Sequence, residues 1–415
     1  MSNAAELIEL PPTQPIEPIP AHVPRELVRP FPYILGAKSK AKPHSFIKTI
    51  HEGPEVFWAE RCFNGVRGTW VPRRLEDLQK VYHDTEHYTS RGFVTFAELI
   101  GETWYFVPAE LDPPKHSLMR AAINPLFTPK RMAALEDKIR AYAREAVAAF
   151  RDRGSCEFMS DFAFEFPVKV FLEMMGLPQS GVKQFLAWEH GFIHEHDMEK
   201  IKDATRAVVA YLRKEIEDRR GNPRDDFITF GVQAEVEGRK FDDNELVGFC
   251  VNLFLGGLDT VSSNMGMEFL HLAERPDHQA LLRAKPELIP EAIDEMMRAY
   301  ATVATSRECI KETKIADVTI KPGDKVHMAT FLAGRDPAAY PNPDEVILDR
   351  KPRHVSFGYG PHLCLGMHLA RREMRIAMEE MLAGLPEFSL KPGVELNYYL
   401  AATIQPVELP LVWNV

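Results

Sequence analysis

Cysteine is scarce in this sequence. Five occur among 415 residues (Cys62, Cys156, Cys250, Cys309 and Cys364), and no two form a C-x-x-C pair. An odd, sparse set points to a reducing compartment, where one special thiol can matter. A long apolar run is also missing. The most apolar stretch, Phe249 to Leu258, contains Asn252 and is too short to span a bilayer. The opening MSNAAELIELPPTQPIEPIP carries acids and prolines but lacks the basic and apolar regions of a secretory signal. The expectation is a cytoplasmic protein with no membrane partner. There is no internal repeat and no low-complexity linker. Positive charge is not in excess either: 50 Lys+Arg against 60 Asp+Glu leave a formal net charge of -10, which speaks against a nucleic-acid partner. With 45% hydrophobic and 27% charged residues, the chain is neither disordered, collagen-like nor a coiled-coil rod.

What is present is mostly helical pattern. Prolines at 11, 12, 15, 18, 20, 24, 30 and 32 predict an extended segment over residues 1–30, followed by one large domain over 31–415. Short β-type runs follow at Glu55–Trp58 and Thr69–Val71, with Asn64-Gly65 as turn formers. Met132, Leu135, Ile139, Tyr142, Ala146, Val147 and Phe150 recur at helical spacing up to Gly154, and a second helix runs through Val208, Leu212 and Ile216 to Gly221. Asp242 or Asp243 caps a helix reaching Glu274, about 45 Å long and expected to cross the whole molecule. Val318–Ile320 and Lys325–Met328, flanking Lys321-Pro322-Gly323-Asp324, predict a β-hairpin. The fold class expected is mainly α with a minor β region.

The segment Phe357-Gly358-Tyr359-Gly360-Pro361-His362-Leu363-Cys364-Leu365-Gly366 is the most informative. Its glycines and proline make a tight, irregular loop that delivers Cys364 to the start of a helix. A sulfur there meets free backbone N–H groups and the positive helix end, which favour a thiolate, a nucleophile or soft metal ligand. Two glycines, Gly256 and Gly257, interrupt the long helix beside Asp259 and Thr260. Each costs ~1 kcal/mol against alanine in a helix interior. Missing side chains let a flat ligand approach, and an acid and an alcohol beside the gap can hold water and pass protons.

The decapeptide resembles the haem-ligand loop of the cytochromes P450, with every fixed position filled. Glu295-Met-Met-Arg298 matches the family's E-x-x-R pair, Arg350 falls where an arginine completes that network, and Gly256-Gly257-Leu258-Asp259-Thr260 matches its oxygen-binding groove. The likeness covers almost the whole chain and is greatest to the bacterial camphor-hydroxylating group, through Asp112-Pro113-Pro114, L-A-R-R-E and Pro410-Leu411-Val412-Trp413. It implies a single-domain cytochrome P450 fold with a long central helix and a haem b cofactor. Cys364 would ligate the iron. Phe357, Gly358 and Gly366 would frame the haem, and His362, Arg120, Arg307 and His116 would hold its propionates. Asp259 and Thr260 would deliver protons. Trp104, Phe106, Asn252, Leu255, Gly256, Val303, Thr305, Ala402 and Thr403 would line the substrate pocket.

Trp104 stands where that group has a tyrosine, and Asn252 and Thr403 replace aliphatic residues. A small terpenoid or norisoprenoid ketone is therefore expected in place of camphor. No stretch reads as a flavin or iron–sulfur domain, so electrons are expected from NADH through a reductase and a separate [2Fe-2S] ferredoxin. Lys80, Arg120, Arg371 and Arg372 would form the basic patch that steers it. A peroxide-driven haem-thiolate enzyme and a non-catalytic haem-based sensor remain as alternatives. His190, His194 and His196, set among acids, resemble a zinc or nickel site but lack further ligands at a clear spacing, and the likeness places them over the substrate entrance.

Overall fold

The carboxylate of Asp242 accepts the Glu245 N–H at 2.8 Å, and that of Glu245 accepts the Asp242 N–H at 3.0 Å. This capping box opens the helix that organises the molecule, a computed structural model describing residues 8–9, 16–34, 37–63, 66–92, 96–195, 197–400 and 403–415. The helix is not continuous as expected. It runs Asp243–Gly257, breaks at Leu258 (φ -101°, ψ -75°), and resumes as Asp259–Glu274. The paired glycines weaken the helix, and the Thr260 hydroxyl donates to the Gly256 carbonyl at 2.9 Å, satisfying an acceptor at the break. Beyond the break every residue from Val261 to Ala273 is buried, polar side chains such as Ser263, Asn264 and Glu268 included, so this half lies in the core. Asp243–Glu274 is long and apolar enough to cross a membrane by length and composition alone, but two-thirds of its apolar window is buried within the fold.

Other helices pack around this axis. The apolar repeat from Met132 to Phe150 is divided, Pro129–Ala133 and Glu136–Phe150, with Gly154 at φ +72° ending the run as predicted. Val182–Ile193 lies against Met198–Gly221, the predicted second helix. Ile289–Ala299 carries Glu295 and Arg298, and Met367–Gly384 follows the Cys364 loop.

The β region is small. One six-stranded sheet runs in the order Val28–Arg29, Val56–Phe63, Arg67–Pro72, Lys325–Ala329, Ala304–Cys309, Tyr88–Thr89. Residues from Val23 onward thus pack with the domain, Val23 itself lying in a core cluster. Asn64-Gly65 lies outside the described residues. The predicted hairpin does not form. Val318–Ile320 pairs with Thr313–Ile315, whereas Lys325–Ala329 pairs with Ala304–Cys309 and, in parallel, with Trp70. Asp324 explains the divergence. Its carboxylate accepts the Lys321 N–H and the Trp70 indole N–H, each at 2.9 Å, which closes the turn but ties its exit to the large sheet. Val326 and Met328, fully buried, need neighbours that a two-stranded hairpin lacks.

Glu295 and Arg298 are fully buried and joined by two hydrogen bonds of 2.7 and 2.8 Å, so the pair is not a surface one. Arg298 also donates to the carbonyls of Gly334, Pro343 and Glu345, and Arg350 donates to Glu295 at 2.9 Å. Removing one charge strands the other in a dry interior. Glu295→Gln is expected to lower unfolding stability by about 3–5 kcal/mol and to reduce haem content in proportion, measured by urea titration. A loss under about 1 kcal/mol, the range of an exposed pair, would contradict this.

Candidate active site

The loop before Met367–Gly384 holds Cys364 through two contacts. Its N–H donates to the Phe357 carbonyl at 2.8 Å, and the Gly366 N–H donates to its sulfur. Gly358 and Gly360 take φ of +73° and +66°, and a Cβ at Gly360 would press to 3.1 Å from the Tyr82 carbonyl. Glycine is required there on both counts. Cys364 is half-buried, whereas the other four cysteines are buried. Burial raises its thiol pKa, while the Gly366 N–H, Arg120 and Arg371 pull it down. A bound metal cation deprotonates such a thiol outright.

Beside this loop lies a positively charged corner. The His116 and His362 rings pack with centroids 4.1 Å apart and planes tilted by 33°, Arg120 donates to the Leu363 carbonyl at 2.7 Å, and the Arg307 guanidinium lies 5.5 Å from the Tyr82 ring centre. Burial, then Arg307, His116 and Arg120, push His362 down to about 3; burial and Arg120 push His116 down to about 4. Both ring nitrogens of His116 are buried without a hydrogen-bond partner. The nearby acid, Asp112, is engaged by the Ser90 N–H and the Thr89 hydroxyl. Anions are what this corner lacks.

Across the helix break, a Cβ at Gly256 or Gly257 would meet nothing within 4 Å. The pair does not serve helix packing; it leaves open space. Asp259 next to it is 1% exposed and heavily bonded. Oδ1 meets His194 Nε2 at 3.2 Å and the Gln405 amide at 3.0 Å, and Oδ2 accepts from the Thr403 hydroxyl. Glu189, 5% exposed, completes the cluster. Burial and then the Asp259 charge hold Glu189 well above the usual carboxylate range. Burial opposes charge on His194, but the Asp259 hydrogen bond and the Asp259 and Glu189 charges outweigh it and raise its pKa.

Sequence reasoning missed this convergence. It set His190, His194 and His196, with Glu189 among the acids around them, apart from Asp259, and overlooked Gln405. His194, at the end of Val182–Ile193, reaches inward; His196 lies outside the described residues. The available signal was polarity out of place: Gln405 sits between Ile404 and Pro406 in a fully buried strand.

The pocket residues divide. Trp104 stacks on Phe106 (centroids 6.0 Å, 16°), and its indole N–H is buried without a partner. Leu255 is half-buried beside the gap. Asn252 is occupied, donating to the Val107 carbonyl at 3.0 Å and so tethering the Trp104–Val107 segment one turn before Gly256. Thr403 serves Asp259, Thr305 bonds the Tyr82 hydroxyl at 3.1 Å, and Val303 is bridged to Thr403 through the backbone. Ala402 lies outside the described residues.

The expected basic patch is a set of closed pairs. Lys80 meets Glu76 at 2.7 Å and Asp77 at 3.7 Å, Arg371 meets Asp294 at 2.7 Å, and Arg372 meets Glu136. Arg371 also covers the Phe357 ring at 4.6 Å, and Arg120 turns inward to Leu363. Their charges are offset locally by neighbours that the linear sequence did not bring together.

A thiol presented at a helix start, an anion-seeking corner and a helix stripped of side chains define a haem-thiolate protein. The chain belongs to the cytochrome P450 family: the profile described as Cytochrome P450 matches residues 168–397. It is 39% identical over 383 residues to a probable cytochrome P450 127A1 of Sinorhizobium fredii, covering 91% of this chain and 92% of that one. It is 32% identical to cytochrome P450-terp of a Pseudomonas species, over 68% of this chain and 70% of that one. Among solved structures, cytochrome P450 CYP101C1 superposes with a TM-score of 0.86 at 32% identity, covering 96% of this chain and 100% of the other. The family's cofactor is haem b, and the residues fit it. The unpartnered His116 nitrogens and the cationic corner suit two propionates, and the open face at Gly256–Gly257 suits a flat ring.

Proposed function

We propose that this P450 monooxygenase hydroxylates a small hydrophobic ketone, terpenoid or norisoprenoid, in the cytoplasm, with electrons from NADH through a reductase and a [2Fe-2S] ferredoxin. The carrying observation is the Trp104 indole N–H, buried without a partner among the described residues, on a ring that stacks on Phe106, which packs in turn on Phe96 and, through it, Phe192. An unmet buried donor costs about 1–3 kcal/mol, which a substrate carbonyl recovers on binding. The apolar rings provide the remaining affinity. A relative's name, cytochrome P450-terp, accords with this class, while others are named for mycinamicin and erythromycin hydroxylation.

Bound haem, ligated by Cys364, supplies oxygen activation. The chain does the rest. Arg120, Arg307, His116 and His362 anchor the propionates, Asn252 holds the Trp104 segment against the gap, and Trp104 orients the ketone. Asp259 carries protons inward, and the Thr260 hydroxyl, turning from the Gly256 carbonyl, aims them. The acid–alcohol pair favours turnover with dioxygen over a peroxide-driven enzyme or a sensor. The ferredoxin would dock beside the Cys364 loop, where Tyr359 is 41% exposed next to Lys80 and His83.

The test is a panel of terpenoid ketones and matched hydrocarbons, scored by the low- to high-spin shift of the haem spectrum. Wild type is expected to bind the ketone of each pair about 5- to 150-fold more tightly, the equivalent of 1–3 kcal/mol. Trp104→Phe should erase that preference while retaining hydrocarbon binding. An unchanged preference would mean that the indole N–H does not meet the substrate.

A further inference from the structure

The corner where Asp259 meets His194 and Gln405 has a hydrogen-bonding problem. The three contacts close a triangle: Asp259 to His194 at 3.2 Å, Asp259 to Gln405 at 3.0 Å, and Gln405 to His194 at 3.2 Å. With Asp259 ionised, no placement of protons satisfies all three edges. If His194 Nε2 donates to Asp259, it faces the Gln405 N–H donor to donor. If it accepts from Gln405, it faces the carboxylate acceptor to acceptor. Turning the Gln405 amide only moves the mismatch to Asp259. Two further atoms add to it. Gln405 Oε1 and Glu189 Oε1 are buried without partners, on residues 0% and 5% exposed.

A cation at the centre resolves every edge, because each group then points a lone pair inward. We propose that Glu189, His194, Asp259 and turned Gln405 bind a single divalent ion of the Zn2+ type, and that the bound ion takes Asp259 out of the proton relay. The binding half stands on geometry alone; the inhibition half rests on the relay reading above. Zinc bonds of about 2.0–2.1 Å in a tetrahedron set donor separations of about 3.3 Å, close to all three triangle edges. The Glu189, His194 and Asp259 ligand atoms lie within 4.8 Å of one another, so a shift of Glu189 completes the set. Two carboxylates balance the ion's charge. The Thr403 hydroxyl fixes the other Asp259 oxygen, and the Tyr399 ring, 4.8 Å from that of His194, fixes the imidazole plane. The ion would fasten Val182–Ile193 and its following loop to the central helix and to the strand Ile404–Pro406.

The experiment is equilibrium dialysis of the chelator-treated, haem-loaded protein against Zn2+, with metal counted by mass spectrometry. Wild type and His190→Asn should bind one ion per chain. His194→Asn and Glu189→Gln should bind at least about 10-fold more weakly, and Thr403→Val about 10-fold more weakly. X-ray absorption should show only nitrogen and oxygen at about 2.0–2.1 Å. Substrate-driven NADH consumption should fall as the site fills. No bound ion, undiminished binding in both His194→Asn and Glu189→Gln, or a sulfur shell at about 2.3 Å would each overturn the site. Binding with the expected variant pattern but undiminished turnover would overturn the inhibition half, and with it the relay role of Asp259, while leaving the site established.

Discussion

Thr260→Ala will consume NADH at a rate near that of wild type but return little product. The hydroxyl now rests on the Gly256 carbonyl at 2.9 Å, beside a gap where a Cβ on Gly256 or Gly257 would meet nothing within 4 Å among the described residues. From there it would hold a water and aim its proton into the gap, where haem would supply the oxygen chemistry. Alanine removes the Thr260 hydroxyl without changing the fold, since the Cβ of Thr260 is kept and a Cβ at Gly256 would meet nothing within 4 Å among the described residues. Protons still enter through Asp259, but they are no longer aimed, and oxygen leaves as hydrogen peroxide. Product per NADH is expected to fall on the order of 100-fold, the low end for a positioned acid–base group, with peroxide rising to match. Thr260→Ser should retain coupling. Asp259→Asn behaves differently: NADH consumption itself slows, because the carboxylate carries the proton rather than directing it. Product, peroxide and NADH measured in one mixture separate these outcomes. Wild-type coupling in Thr260→Ala would remove the hydroxyl from the account.

The Cys364 loop was readable from sequence because its chemistry is local. Two positive-φ glycines, a proline and a helix start lie within ten residues, and nothing distant is needed to recognise them. Glu295 and Arg298 were readable for the same reason, one turn apart on a helix that Pro290 helps to start. Features built from distant segments were not. The turn at Lys321–Asp324 has ordinary hairpin chemistry, yet Trp70, more than 200 residues away in sequence, claims the Asp324 carboxylate and redirects the strand. The cations Lys80, Arg371 and Arg372 look free in the sequence and are paired in space. Asp259 shows the limit most clearly. Its own motif identifies it as an acid beside a gap, but its partners come from a helix end at His194 and a strand at Gln405 and Thr403. The helix break at Leu258 lies between these cases: two glycines announce weakness, and only the fold shows that the backbone yields there.

The haem chemistry depends on Cys364 being the iron's ligand. The other four cysteines are poor candidates. Burial raises the thiol pKa of each, to about 12 for Cys156 and Cys250 and about 11 for Cys309, and Cys309 also donates its S–H to the Lys311 carbonyl. Burial raises the Cys364 thiol as well, but there the Gly366 N–H and two guanidinium groups, Arg120 and Arg371, act together to pull it down. The decisive measurement is the absorption spectrum of the reduced protein under carbon monoxide. Wild type should show the red-displaced Soret band of thiolate ligation, Cys364→His should retain haem but lose that band, and Cys250→Ala and Cys309→Ala should keep it. A red-displaced band that survives Cys364→His and disappears in Cys250→Ala or Cys309→Ala would contradict the assignment.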